Sequence, residues 1–589
     1  MGVVFCSQLA IASQAIDSAP VVKALTEDPL VRQYQQSFDD SLVDLDLIHS
    51  LLRYVFQSGQ GREGSVLIFL PGWDEIMKLG RLLRFSEFGA IDKFKIVQLH
   101  SAVPRKEQAE AFVAPKPGQV KIILSTNVAE TSITIDDVTT VIDCGKVKEI
   151  SYDPHVKLSY LKTTYISRAS SRQRKGRSGR TKAGVCFHLY SRTRHQSLAE
   201  FQDSELLRMP LEELVLQTKV LGLAPGQGNA ANFLEKAMDP PHALSIENAL
   251  SNLRSVHCLD DKENVTPIGA AVSKLPIEPM GAFTILLGSL LGIGSDVVKT
   301  IAAMSREPFV PPSDDQRRSA FDKVRVKFAQ SIPSDQISLF KALDSYLSKV
   351  KTSNYSTMED FCEKHFLSRT ALTYLADVSR QMGEELSNIR VTLNQPKVAR
   401  HNGDLYLLTA LVGIGLYPNI ALRRKSSTVY VTEKGPKAKI HASSVNFHSG
   451  QYKKACKGDA EILSFGTLVS SRSTQPGAAS LLMIGTTPIS PLALILGCSS
   501  LSLETNKIAK GNEEEESAIL FSVDDWIRFK IDPKMYLVLL AARSALVEAL
   551  VLYIQDPTKA LPPKLDEAVE AIAFALASEQ RAICSQVGN

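Results

Sequence analysis

No Gly-x-x-x-x-Gly-Lys-[Ser/Thr] occurs anywhere in the 589 residues. The chain therefore offers no glycine-rich loop to cradle the β- and γ-phosphates of a nucleotide. Cys-x-x-Cys is absent too: Cys6, Cys144, Cys186, Cys258, Cys362, Cys456, Cys498 and Cys584 lie scattered, with no histidine cluster beside them. This argues against a zinc site and a secreted disulfide framework, and no metal site is expected; a reducing compartment, cytoplasmic or nuclear, fits best. No apolar run approaches the roughly 20 residues a membrane span needs, so no membrane association is expected. The apolar stretch 1–12 has no basic residue ahead of it, as a secretory signal would. Gly2 invites myristoylation, but Cys6 stands where that motif wants Ser or Thr. No repeat at solenoid periods is found.

The composition is that of a globular protein, 44% hydrophobic and 22% charged with a net charge of +4. The length suggests about four domains. Between 41 and 200, short aliphatic runs alternate with helical patterns. Val66–Leu70, Ile96–Leu99, Lys121–Ser125, Val138–Asp143 and Val185–Leu189 are such runs, which predicts a parallel α/β sheet covered on both faces. Residues 205–385 read mostly helical, 400–530 return to short strands with Gly-rich turns, and the tail from Pro533 is Ala/Leu-rich and helical. The acidic run Glu513–Glu516 reads as a solvated loop tip.

The most informative segment is Gln173-Arg174-Lys175-Gly176-Arg177-Ser178-Gly179-Arg180. On a helix, Arg177 and Arg180 would project from one face. Two guanidiniums so placed can clamp a polyphosphate and stabilise charge on a transferring phosphoryl group. A basic, solvated helix start is the alternative. Charge gathers around this segment: 146–194 holds thirteen Lys/Arg against Glu149 and Asp153. Such an excess draws a polyanion and implies salt-sensitive binding.

The pattern Q-R-x-G-R-x-G-R resembles motif VI of the superfamily-2 DEAH (DExH) helicases. Ser125-Thr126-Asn127-Val128-Ala129-Glu130-Thr131-Ser132-Ile133-Thr134 resembles motif V, and Phe69-Leu70-Pro71-Gly72 resembles motif IV, in the family's order. The phrases Phe69–Asp74 and Gln173–Arg177 lean toward the branch containing RNA helicase A. The resemblance implies an ATP-dependent RNA helicase, moving 3′ to 5′ on RNA, that uses ATP and Mg2+. Gln173, Arg177 and Arg180 would act on the γ-phosphate and attacking water. Phe112 would stack on adenine, and Thr134 and Asp136 would face the ribose. Gly72, Ser125, Thr126, Asn127 and Thr131 would contact RNA; hydroxyls, amides and backbone N–H groups suit phosphodiester oxygens. For Phe112 the alternative is a core residue of a helix over 106–113. Residues 146–167 read as a hairpin around Tyr152-Asp153-Pro154-His155, which the family uses in strand separation; a plain structural hairpin is the alternative.

The resemblance also implies the fold class: an α/β RecA-like domain with a parallel sheet, then winged-helix, helical-bundle (ratchet) and OB-fold β-barrel domains. The boundaries drawn are 1–40 for an N-terminal extension and 41–200 for the second RecA-like domain. They continue with 201–279 winged-helix, 280–394 ratchet, 395–532 OB-fold and 533–589 helical tail. OB-folds bind single strands in a basic groove. Residues 420–457 carry nine Lys/Arg against Glu433. Lys434, Lys437 and Lys439 are candidate RNA contacts, with Ser443, Ser444 and Asn446 as candidate phosphate ligands; a solvated loop is the alternative.

A helicase of this type has two RecA-like domains, and the first carries the phosphate loop and Asp-Glu-x-His. Neither motif occurs in this sequence, so the chain by itself is expected not to hydrolyse ATP. Mg2+ ligands would come from that other domain. Three explanations stay open: a truncated gene model or fragment, a partial protein that binds RNA without turnover, or action in trans with another chain. RNA is the expected partner of an otherwise monomeric protein, with protein activators possible in the family.

Overall fold

The computed structural model describes residues 2–5, 33–34, 38–39, 42–57, 64–90, 93–100, 103, 108–131, 134–179, 183–223, 229–312, 315–351, 355–391, 393, 399–423, 429–433, 437–448, 461–472, 479–497, 500–503 and 519–588. The chain divides into two compact units, one of residues 1–149 and 162–203, the other of 150–161 and 204–589.

The first unit is built on a parallel sheet. Its strands are Gly2–Phe5 (β1), Ser65–Phe69 (β2), Phe94–Leu99 (β3), Val120–Ser125 (β4), Val138–Asp143 (β5) and Val185–His188 (β8), in the order β1-β8-β5-β2-β4-β3. Every neighbouring pair is parallel. The five expected strands form within two residues of their sequence bounds, as short aliphatic, β-branched runs between turn signals suit a parallel sheet buried on both faces. Side chains alternate across it. Val66, Ile68, Ile122 and Leu124 pack with Ile48, Leu52, Ile76 and Leu79 on one face. Leu67, Phe69, Ile123 and Val141 pack with Val97, Ala129 and Cys186 on the other. The strand Gly2–Phe5, which the sequence reading leaves in an extension, pairs with β8 as an edge strand.

Strands Lys146–Asp153 (β6) and Leu158–Tyr165 (β7) form the expected hairpin. Its tip belongs to the second unit. There Asn248 Nδ2 donates to Tyr152 Oη at 3.2 Å and to Pro154 O at 2.7 Å, and Leu158 packs inside the barrel described next.

The second unit begins with helices Glu212–Val220, Ala243–Ser255 and Pro267–Val272 and a short antiparallel bridge between Leu259 and Val265. These elements lie in the stretch 201–279 that the sequence reading expects to be a winged-helix domain. Helices Pro279–Leu290, Gly294–Met304, Asp315–Phe328, Asp335–Val350, Tyr355–Lys364 and Arg369–Asn388 make the helical bundle. Ile420–Arg423 (β9), Tyr430–Thr432 (β10), Ala438–Ile440 (β11), Glu461–Arg472 (β12) and Ala479–Pro488 (β13) close into a five-stranded barrel through the β12–β13 pairing. The barrel fills less of 395–532 than expected. Leu405–Gly415 is a buried apolar helix, and Leu501–Leu503, Ile519–Val523 and Ile527–Ile531 form a separate antiparallel sheet.

One continuous apolar core runs from Leu211 to Cys584. Helices Pro533–Gln555 and Pro563–Gly588 end the chain. Contrary to the sequence reading, Pro533–Gln555 is long and apolar enough to cross a membrane, with a mean hydropathy of 2.1 in its most apolar window. The reading missed it because Arg543, Ser544 and Glu548 interrupt the run. Tyr536, Leu539, Leu546 and Leu550 on one face belong to the core, while Leu537 and Val538 are exposed.

Candidate nucleotide and RNA sites

The C-terminal ends of parallel strands are where open α/β sheets bind ligands, and the three motifs meet there. β2 ends into Leu70-Pro71-Gly72. β4 ends into Thr126-Asn127 and the short helix Val128–Thr131. β5 ends at Asp143.

Motif VI opens on helix Arg168–Lys175, whose N-cap Ser167 accepts from Ser170 N at 3.1 Å. The helix stops at Lys175, residues 176–179 form a turn, and Gly179 has φ +94°. Arg177 therefore stands past the helix end, in the turn and not on a helical face. Arg180 lies outside the described residues. Arg177 donates from Nη2 to the carbonyls of Glu130 and, at 3.3 Å, Thr131. Its guanidinium thus lies at the end of the motif V helix, on the side of the sheet that bears Thr126 and Asn127. Gln173 is exposed.

The buried face of the same helix holds a residue that sequence reasoning passed over. Arg174 is 0% exposed. Its Nε lies 3.0 Å from Glu130 Oε2 and its Nη1 2.9 Å from Asp143 Oδ1, and Nη1 also donates to Lys146 O at 3.2 Å. The guanidinium sits 4.9 Å above the Phe69 ring. One side chain thereby ties together the ends of β2, β4 and β5. Ser171 and Arg174, both buried, stand three apart on one face of the helix.

Burial pushes the Asp143 carboxyl up, but Arg174, aided by His188, outweighs it and holds the group well below the usual carboxylate range. Asp143 Oδ2 is also 3.2 Å from His188 Nδ1, and Tyr190 Oη bridges His188 Nδ1 at 2.9 Å and Ser171 Oγ at 2.9 Å. Burial, and then the Asp143 charge, push the Tyr190 phenol up. Burial pushes the neighbouring Cys144 thiol up to about 12, so it is an inert core thiol.

The proposed adenosine contacts come from two segments. Phe112 lies in a turn and is 49% exposed, which sets aside its alternative as a core residue. Thr134 and Asp136 are exposed. Among the proposed RNA contacts, Asn127 and Thr131 are exposed, whereas Ser125 and Thr126 are buried and Ser125 Oγ donates to Thr126 O at 3.0 Å. Gly72 is buried as the N-cap of helix Trp73–Arg84, and a Cβ there would meet the Lys148 side chain at 2.7 Å.

On the barrel, Lys437 and Lys439 are exposed, and Lys434 lies outside the described residues. The expectation that Ser444 and Asn446 bind phosphate is corrected. Both are buried. Ser444 Oγ donates to Asp335 Oδ2 at 2.7 Å, and Asn446 Nδ2 donates to Thr486 Oγ1 at 2.7 Å. Ser444 ties the barrel to the first turn of helix Asp335–Val350, and Asn446 bonds within the barrel.

Among the described residues, no cluster of three His, Cys, Asp or Glu could hold a metal ion. The family description "helicase conserved C-terminal domain" matches residues 46–182. An oligonucleotide/oligosaccharide-binding (OB)-fold description matches 408–501. The DExH-box ATP-dependent RNA helicase DExH1 of Arabidopsis thaliana is 37% identical over 70% of this chain and 41% of its own length. The human ATP-dependent DNA/RNA helicase DHX36 is 33% identical over 84% of this chain and 47% of its own. Arabidopsis DExH6 is 30% identical over 98% of this chain and 48% of its own. The chain spans about half the length of these curated relatives.

Proposed function

Because the chain belongs to the DExH-box ATP-dependent RNA helicase family, we propose that it supplies the arginine-bearing half of the ATP site, together with much of the RNA path, of an ATP-driven RNA helicase. The observation that carries this is Arg177: its guanidinium rests on the motif V carbonyls of Glu130 and Thr131, at the strand ends that bear Asn127. A cation fixed there, in the unit that also presents exposed Asp136 and half-exposed Phe112, fits a nucleoside triphosphate. When bound, ATP supplies the free energy of phosphoryl transfer. Arg177, with Gln173 and Arg180, offsets negative charge on the γ-phosphate. Phe112 stacks on the base, and Asp136, beside Thr134, accepts from a ribose hydroxyl. Mg2+ would take its protein ligands from a domain bearing the phosphate loop, a motif that this sequence lacks.

RNA is held by Asn127 and Thr131 in the first unit and by Lys437 and Lys439 on the barrel, all exposed. Gly72, Ser125 and Thr126 act through backbone groups, since their side chains are absent or buried. Protein activators remain compatible with this arrangement. A second reading, RNA binding without turnover, is favoured by the missing phosphate loop.

An ATPase assay on the chain with saturating single-stranded RNA and Mg2+ separates the readings. The expected result is RNA binding that weakens with salt and no turnover. Turnover would overturn the assignment of the phosphate loop to another domain. Salt-independent or absent RNA binding would overturn the RNA-path assignment.

A further inference from the structure

Strand β4 carries a buried lysine that none of the motif assignments uses. Lys121 is 1% exposed. Its Nζ donates to Ala111 O at 2.7 Å and Val113 O at 2.9 Å, and lies 3.1 Å from Asp137 Oδ1. An ammonium has three N–H donors, and these three oxygens take all of them. Burying an ammonium is costly unless it is paired and hydrogen-bonded. A methionine would fill the same space without that cost, so the reason for a lysine lies in what it joins.

The two carbonyls flank Phe112. The carboxylate belongs to the residue after Asp136. Asp137 is itself anchored to the start of β2, since Ser65 N donates to Asp137 O at 2.7 Å and the Ser65 hydroxyl donates to its carboxylate. The Phe112 turn is otherwise closed by weaker local bonds, Ala111 N to Gln108 O and Phe112 N to Ala109 O, both 3.1 Å. An aromatic ring 49% exposed to solvent is thus held by a backbone clamped on either side of it.

We propose that Lys121 is the positioning residue of the adenosine site, locking the Phe112 platform and the Asp136 acceptor into one fixed spacing. The inference rests on the reading of those two residues as nucleotide contacts, and Lys121 itself does not touch the nucleotide. Pre-setting two contacts in this way raises affinity by removing the cost of ordering them on binding.

The test is equilibrium dialysis of the full chain against ADP and CDP, with single-stranded RNA affinity measured alongside. The wild-type chain is expected to prefer ADP. Lys121→Met is expected to lose about tenfold in ADP affinity, because two carbonyls and a carboxylate lose their donor. The ADP-over-CDP preference should fall with it, while RNA affinity stays. Phe112→Ala should erase the same preference, and Lys121→Met should add nothing on top of it, as expected for residues acting as one unit. Asp137→Asn keeps the side-chain shape and should lose about threefold; it carries the test if Lys121→Met does not fold. If folded Lys121→Met and Asp137→Asn keep the wild-type preference, the positioning role is overturned and the nucleotide site stands. If the wild-type chain does not distinguish ADP from CDP, both fall.

Discussion

Replacing Arg174 by methionine should damage the first unit more than replacing any other arginine of motif VI. The side chain is 0% exposed and pairs with Asp143 at 2.9 Å and Glu130 at 3.0 Å. Removing one partner of a buried ion pair costs about 3–5 kcal/mol, because the charge left behind is uncompensated. For a unit of this size that is a fall of roughly 6–20 °C in its melting temperature.

The pH dependence gives the loss a signature. In the wild type Asp143 is held below its unfolded value. It therefore contributes stability that is present above the unfolded carboxylate range and lost as pH falls through its folded pKa. Without Arg174, burial dominates and raises the carboxyl above its unfolded value. The variant then takes up a proton on folding, and its deficit should narrow as pH is lowered from 7.5 toward 5. Differential scanning calorimetry at both pH values, following the transition of the first unit, checks this. A variant that melts within 2 °C of wild type, or whose deficit widens in acid, would refute the reasoning. Arg174→Lys keeps the charge but cannot bond both carboxylates in a fork, so it should fall between.

Arg177 should behave in the opposite way: Arg177→Ala is expected to change stability by about 1 kcal/mol or less, since its bonds go to carbonyls at a half-exposed helix end, and to leave RNA affinity within about twofold in a fluorescence anisotropy titration. The double variant Lys437→Ala/Lys439→Ala should lower the slope of log affinity against log salt by about 1.4, from roughly 0.7 for each single-strand phosphate contact; an unchanged slope would remove these lysines from the RNA path. Asp335→Ala strips the acceptor from Val445 N and Thr486 N, both at 2.8 Å, and from Ser444 Oγ at 2.7 Å. With two buried backbone donors unsatisfied and the Ser444 hydroxyl left to Thr486 Oγ1, the second unit should lose about 2 kcal/mol or more in urea denaturation, and Asp335→Asn less.

The motifs were legible because each is a run of neighbours. Ser125 to Thr134 and Gln173 to Arg180 present their chemistry in one stretch, and the strands beside them are continuous aliphatic runs. The helical bundle and terminal helices were legible for the same reason, through apolar spacing. The barrel was legible only as a pattern of short strands, and its closure depends on pairings distant in sequence, Ala421 with Leu463 and Ala438 with Leu481. The strand Gly2–Phe5 escaped notice because four apolar residues acquire meaning only from the edge they pair with.

The amino-acid order thus determined which family's motifs are present, where the parallel strands run and which residues carry charge. Tertiary structure alone decided which polar residues are committed to the fold. Arg174 meets Glu130 across 44 positions and Asp143 across 31, and Asp335 meets Thr486 across 151. Arg174 and Arg177, three residues apart, look alike in sequence. A helix end and one turn send the first into the sheet and leave the second at its edge. Burial makes the difference, because a desolvated charge must spend its bonds on the protein while a half-exposed one keeps water within reach.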